Sequence, residues 1–110
     1  MKLTNLPPEA INWAAVPVTD QPGASGHTAM RVFQAGDLRL RMVDYSAGYL
    51  ADHWCHKGHI IHVLAGQLIV EHENGSEFVL DAGMTYHVAD EEGSPHRARS
   101  NPGATVFIVD

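Results

Sequence analysis

The chain has 110 residues, a formal net charge of −6, and 45% hydrophobic against 18% charged residues, which fits one globular domain and excludes both a disordered chain and two separate cores. Seven scattered basic residues do not supply the clustered Lys and Arg that phosphate neutralisation needs, which argues against a nucleic-acid surface. No apolar run is long enough to cross a bilayer, the start Met1–Pro8 lacks the apolar region of a signal peptide, and one cysteine cannot close an intrachain disulfide, so a soluble cytoplasmic protein without membrane contact is expected.

Residues 1–26 carry four prolines and two glycines and read as an extended arm packing on a barrel domain of residues 27–110. A short helix is expected over Pro8–Ala15, with proline at an early position. His27–Gln34 leads into an Ala35-Gly36-Asp37 turn. Leu38, Leu40 and Met42 then alternate with Arg39, Arg41 and Val43, the period of a half-buried strand. On that pattern Arg31, Arg39 and Arg41 belong to a solvated face, the alternative being a pocket-facing arginine for an anionic ligand. Strand segments follow at Ile60–Ala65, Gln67–Glu73, Glu77–Leu80, Met84–Val88 and Ala104–Val109. Turns separate them at Ala65-Gly66-Gln67, Glu73–Ser76, Asp81-Ala82-Gly83 and Asn101-Pro102-Gly103, and Asn74-Gly75 is a strong hairpin signal. Short strands spaced by turns at roughly ten-residue intervals imply an all-β sandwich or barrel. Trp54, Met42 and Phe78 read as core or dimer contacts, and Asp90-Glu91-Glu92 as an exposed acidic loop.

Four of the eight histidines fall at His53, His56, His59 and His62, around the single cysteine, Cys55. Imidazole and thiolate are the side chains that borderline transition metals prefer. His96, after Gly93-Ser94-Pro95, is a fifth donor that folding can bring alongside. Three-residue spacing would also suit one helix face, but Gly58 and the β-branched Ile60, Ile61 and Val63 oppose a helix, and Gly66-Gln67 ends the run early. Strand parity instead puts His53 and Cys55 on one side, with His59, Ile61 and Val63 sharing a face beyond the Lys57-Gly58 turn. His56 and His62 then lie outside the metal set. His27, His72 and His87 have no supporting constellation and read as ordinary strand residues. Asp52 is either a solvated strand-end residue or a carboxylate orienting a ligand histidine.

The spacing Gly48, four residues, His53-Trp54-Cys55, three residues, His59, six residues, Gly66 resembles the first motif of the cupin superfamily. Gly83 and His96 match the ends of the second motif; its middle, Tyr86 to Ser94, is longer and lacks Pro-x-Gly, and Ser100 stands where Asn is usual. The likeness covers about residues 36–109. More narrowly, Asp52-His53-Trp54-Cys55 with Lys57-Gly58-His59 is similar to the small single-domain DHCW-motif cupins. Gly48-Tyr49-Leu50-Ala51 and the closing Phe107–Asp110 extend that likeness. It implies a jelly-roll β-barrel, often dimeric, with a metal inside. By position, His53 and Cys55 replace the two first-motif histidines, His59 the glutamate, and His96 matches the second-motif histidine. Thiolate for imidazole and imidazole for carboxylate make a softer set, moved toward Zn, Cu or Fe, with Zn the first expectation and Fe and Ni the alternatives. Four protein donors would also saturate a tetrahedral ion.

Two classes of function follow. One is a metalloenzyme, dioxygenase-like or isomerase-like, acting on a small organic molecule in an apolar pocket of Ile61, Val63, Met84 and Tyr86, with Tyr86 or Arg41 as proton or anion partner. The other is a non-catalytic module that binds or senses a small ligand or metal. A third reading is a metal-free pocket in which Cys55 is a reactive thiol. A homodimer is expected in each case.

Overall fold

A computed structural model describes residues 3–91 and 93–110; Met1, Lys2 and Glu92, which entered the expectations about the chain start and the acidic loop, lie outside them. The strands are β1 (Thr19–Pro22), β2 (His27–Ala35), β3 (Leu38–Tyr45), β4 (Tyr49–Leu50), β5 (His59–His72), β6 (Glu77–Asp81), β7 (Thr85–Val88), β8 (His96–Ser100) and β9 (Ala104–Val109). They form a curled antiparallel barrel. One wall runs β1-β2-β3-β9-β5-β7 and the other β4-β8-β5-β6, so β5 belongs to both.

β5 corrects the expected turn at Ala65-Gly66-Gln67. The strand runs through it, with a bulge between Val63 and Ala65 where pairing to β9 shifts register. Gly66 sits at φ +75°, and a Cβ there would collide with the Gly103 carbonyl oxygen. Positive φ and close backbone approach let one strand bend between walls, where a side chain would stop it.

The core follows inward rows across strands. Val43, Val106 and Val63 form one such row, all at most 1% exposed. The next is Arg41, Ile108, Ile61 and Tyr86. Arg41, 11% exposed, therefore shares the inward face with Val43 and its solvated-face reading is corrected, whereas Arg39, two residues toward the strand end, stays 39% exposed. Leu40 and Met42 face out, where the N-terminal segment lies over them: Leu6, Pro7 and Ile11 flank Phe33 and Leu40, and Trp13 stands edge-on to Phe107 at 6.3 Å. Arg31 ties this segment down by donating to the carbonyls of Trp13 (2.9 Å) and Val16 (2.6 Å). The expected helix over Pro8–Ala15 is a single 3₁₀ turn, Trp13–Ala15, capped by the Asn12 side chain. Strand segments β1, β4 and β8 were not expected from the apolar pattern. Among the described residues no helix is long and apolar enough to cross a membrane.

Gly66→Ala and Gly75→Ala separate the bulge from simple backbone strain. Both glycines have positive φ, but nothing lies within 4 Å of a Cβ at Gly75. Gly75→Ala should cost about 1 kcal/mol and Gly66→Ala roughly 3 kcal/mol in urea unfolding. Equal losses would rule out the close approach to Gly103.

Candidate metal and ligand site

Cys55 stands outside the named strands but is locked to β8 as an isolated bridge partner of His96: its N–H donates to the His96 carbonyl at 2.7 Å, and the return bond is 3.0 Å. On the other side of His96, in β5, stands its ladder partner His72. Directly paired residues point to one face, so Cys55, His96 and His72 make a row on the second wall. The first wall contributes His59, at the start of β5.

The ligand atoms of Cys55, His59 and His96 all lie within 4.8 Å of one another. Cys55 Sγ is 3.4 Å from His59 Nε2, and the Lys57 N–H donates to the sulfur at 3.4 Å. His59 Nδ1–H donates to Asp110 Oδ2 at 2.9 Å, which leaves its Nε2 lone pair facing the group. A carboxylate behind a histidine is the usual arrangement for orienting a metal ligand. His96 is 4% exposed, and neither ring nitrogen has a hydrogen-bond partner. Burial, with the neighbouring His59 and His72 adding to it, pushes this imidazole down to about 4, so it is neutral at pH 7. A buried donor and acceptor left unpaired costs about 1–3 kcal/mol, and an ion among Cys55, His59 and His96 would remove that cost. These residues fit a metal.

His53 is the expected ligand that the structure leaves out of this group. Its side chain is 78% exposed, and its Nδ1 lies 2.6 Å from Asp52 Oδ1 at the rim. Residues 51–54 form no strand, so two-residue parity does not carry from Cys55 back to His53. His56 is exposed, and His62 bonds the Thr85 hydroxyl at 2.8 Å.

Two residues central to the site had no signal strong enough to select them. Asp110 receives Arg39 at 3.0 Å, Arg41 at 2.6 Å and His59 at 2.9 Å while only 4% of its side chain is exposed. Burial alone would raise this carboxyl, but the bond from His59 and the two guanidiniums outweigh it and hold it well below the usual carboxylate range. His72 accepts from the Tyr86 hydroxyl and donates to the Ser94 carbonyl, both at 2.8 Å. The alternation Leu68, Val70, His72 places it on the inner face, a pattern visible in the sequence.

A cavity of about 110 Å³ opens beside the cluster, lined by Arg41, Tyr45, Ile61, Val70, Ala98 and Ile108 among others. Of the expected pocket residues, Arg41 and Ile61 line it. Val63 and Tyr86 are packed in the core, and Met84 is 45% exposed, because the Asp81–Gly83 turn interrupts the alternation that would have turned it inward.

The same barrel occurs in solved structures. An RmlC-like cupin from Shewanella frigidimarina is 15% identical, with 96% of this chain and 92% of that one covered and a TM-score of 0.69. The polyketide cyclase RemF from Streptomyces resistomycificus is 20% identical over 92% and 77%, at 0.73. A sugar phosphate isomerase of the cupin superfamily from Silicibacter pomeroyi is 13% identical over 92% and 74%, at 0.70. This chain has the cupin fold. No family model and no curated protein matches it. A cyclase and an isomerase on one cupin barrel show that this architecture serves more than one chemistry.

Two measurements test the electrostatics. In metal-free protein the folded value of His96, about 4, lies below its ordinary 6.5, so the unfolded chain takes up the proton first. The stability that neutral His96 contributes is complete above pH 6.5 and is lost as pH falls toward 4. Urea midpoints should fall across that window, and His96→Gln should flatten the slope; an unflattened slope would assign it to other groups. Asp110→Asn should cost roughly 3 kcal/mol, since it leaves the buried Arg41 guanidinium facing a neutral amide; a loss under 1 kcal/mol would contradict the buried pairing.

Proposed function

We propose that this cupin is a mononuclear metal-binding protein whose ion is held by Cys55, His59 and His96 and keeps a position for a small organic ligand. The observation that carries this reading is His96, buried with both nitrogens unpaired beside a thiol and a second imidazole. Zn is the first choice for one sulfur and two nitrogens, with Fe or Ni as alternatives. Three protein donors leave a tetrahedral ion one position short, and the adjoining cavity gives a ligand access to it. The bound metal would supply Lewis acidity, polarising a ligand oxygen. Asp110 fixes the His59 tautomer, the Cys55–His96 bridge fixes two donors relative to each other, and Ile61, Val70 and Ile108 keep the cavity wall apolar. An enzyme of the isomerase or dioxygenase kind is favoured over a purely structural metal by that access. A second copy of the chain pairing over the outer face of β5 belongs to the same reading, supported by Ile60 and Leu64, exposed at 39% and 49%.

Metal stoichiometry after dialysis, with Co(II) as a spectroscopic substitute, tests the assignment. Wild type should bind one ion per chain and show a thiolate charge-transfer band. Cys55→Ser should lose the band, and His59→Ala and His96→Ala should weaken binding at least about 100-fold. His53→Ala should bind normally; a loss there equal to that of His59→Ala would restore a four-donor set.

A further inference from the structure

Resting on the metal reading above, we propose that the ligand of this barrel is a small organic acid whose carboxylate is held by Arg41, Tyr45 and Tyr49 while its other end faces Cys55, His59 and His96. Buried Arg41 and the more exposed Arg39 share the single carboxylate of Asp110, so two positive groups stand against one negative group at this end of the barrel. Arg41 is 11% exposed. Its Nη2 donates to Asp110 at 2.6 Å, and its Nη1 reaches only the Met30 sulfur at 3.8 Å, a weak acceptor. Its Nε is buried and has no partner. A guanidinium that keeps donors unpaired inside a fold is a site for an anion, because desolvation has weakened every competing contact with water.

The inner cavity agrees in sign, and Asp52, the carboxylate of the outer cleft, is hydrogen-bonded to His53. The inner cavity is lined by Arg41 and Arg97 and by no carboxylate, in a chain whose net charge is −6. Arg97 is already taken: it donates to Glu71 at 2.5 Å and lies 4.3 Å from the centre of the Trp54 ring. Arg41 is therefore the cation with capacity left. Tyr45 and Tyr49 pack edge to face at 4.9 Å, and among the described residues neither phenol bonds a protein group. Burial pushes Tyr45 up to about 12 and raises Tyr49 as well, so both remain O–H donors at neutral pH, the form an anion needs.

Size narrows the ligand. Arg41, Tyr45 and Tyr49 line both the inner cavity of about 110 Å³ and an outer cleft of about 440 Å³ that also touches Gln21, Met30 and Asp52. The three residues stand where the two spaces meet. A cavity of about 150 Å³ takes a benzene ring, so the inner space admits a compact aliphatic group. Ile61, Val70, Ala98 and Ile108 supply its apolar contacts.

Butyrate and its neutral isostere butyramide are suitable probes, titrated by NMR into chelator-treated and Zn-loaded full-length protein. Butyrate should bind both forms at least about tenfold tighter than butyramide, the size of one charge-assisted contact in a desolvated site. Arg41→Gln should abolish the preference. Tyr49→Phe, which removes only a hydroxyl from a half-buried ring, should weaken butyrate several-fold and leave butyramide unchanged, which keeps the test valid if Arg41→Gln does not fold. Arg39→Gln, which removes the surplus charge but leaves the unpaired donors of Arg41 in place, should reduce the preference without abolishing it. Equal binding of acid and amide overturns the proposal. So does a preference that vanishes in His59→Ala but survives in Arg41→Gln, since that would place the carboxylate on the metal instead. Wild-type protein that takes up no metal yet keeps the preference would retain the acid site and refute the metal centre.

Discussion

β5 changes partners half-way along its length, and every part of the site depends on that change. Its first half pairs with β7 and β9, and its second half with β6 and β8. His59 opens the strand on one wall, and His72, at its other end, lies across from His96 on the facing wall. A straight strand would keep these residues on one sheet with nothing between them. The bulge and the left-handed glycine at 66 fold the strand over itself, so His59 and His72, distant along the strand, flank the His96 ring at 5.1 and 5.6 Å. The Cys55–His96 bridge then closes the gap from the other side with two main-chain bonds, which costs no side-chain freedom.

The second constraint is a buried carboxylate. Asp110, with Arg39, Arg41 and His59 around it, places charge where a barrel of this size would ordinarily put valine or leucine. Such pairs add little net stability relative to apolar residues, since desolvation offsets most of the attraction. What they add is direction. His59 is held in one tautomer, its outer nitrogen turned to the site, and Arg41 is drawn off the wall with its Nε free. Orientation of this kind is what a binding centre needs and a core does not.

The strand pattern and the cysteine–histidine cluster were legible in the sequence because both are local: alternation repeats every two residues, and the donors sit within a few positions of one another. Four features were not legible, each for a physical reason. The direction of β3 was misread because Leu38, Leu40 and Met42 look like the buried set. Only the N-terminal segment covering them, and Asp110 neutralising the arginines opposite, make the reverse orientation stable. The role of Asp110 depends on register between β3 and β9, which sequence spacing does not encode. His53 matched a motif position, but parity holds only where pairing continues, and the chain before Cys55 is irregular. Gly66 reads as a turn residue, but its close approach to Gly103 makes it part of a bulge in a continuous strand.

The charge of the donor set connects the metal reading to the organic acid. A divalent ion on one thiolate and two neutral imidazoles keeps one positive charge, and the Arg39–Arg41–Asp110 cluster keeps another. With the ion bound, both would lie beside a cavity with no lining carboxylate. In a low-dielectric interior, like charges at such range repel strongly, so a neutral ligand would leave the loaded barrel electrostatically strained. A carboxylate with a second oxygen donor relieves both ends together: one oxygen pair meets Arg41 and the tyrosines, and the remaining oxygen lies near the ion. With four protein ligands around the metal that second contact would be lost, and with a carboxylate in place of His59 much of the attraction would go. The two replacements that set this chain apart from the usual cupin pattern cancel in charge, thiolate for imidazole adding one negative charge and imidazole for carboxylate removing one, so the surplus positive charge that favours an anion comes from Arg41 and Arg39 against the single Asp110.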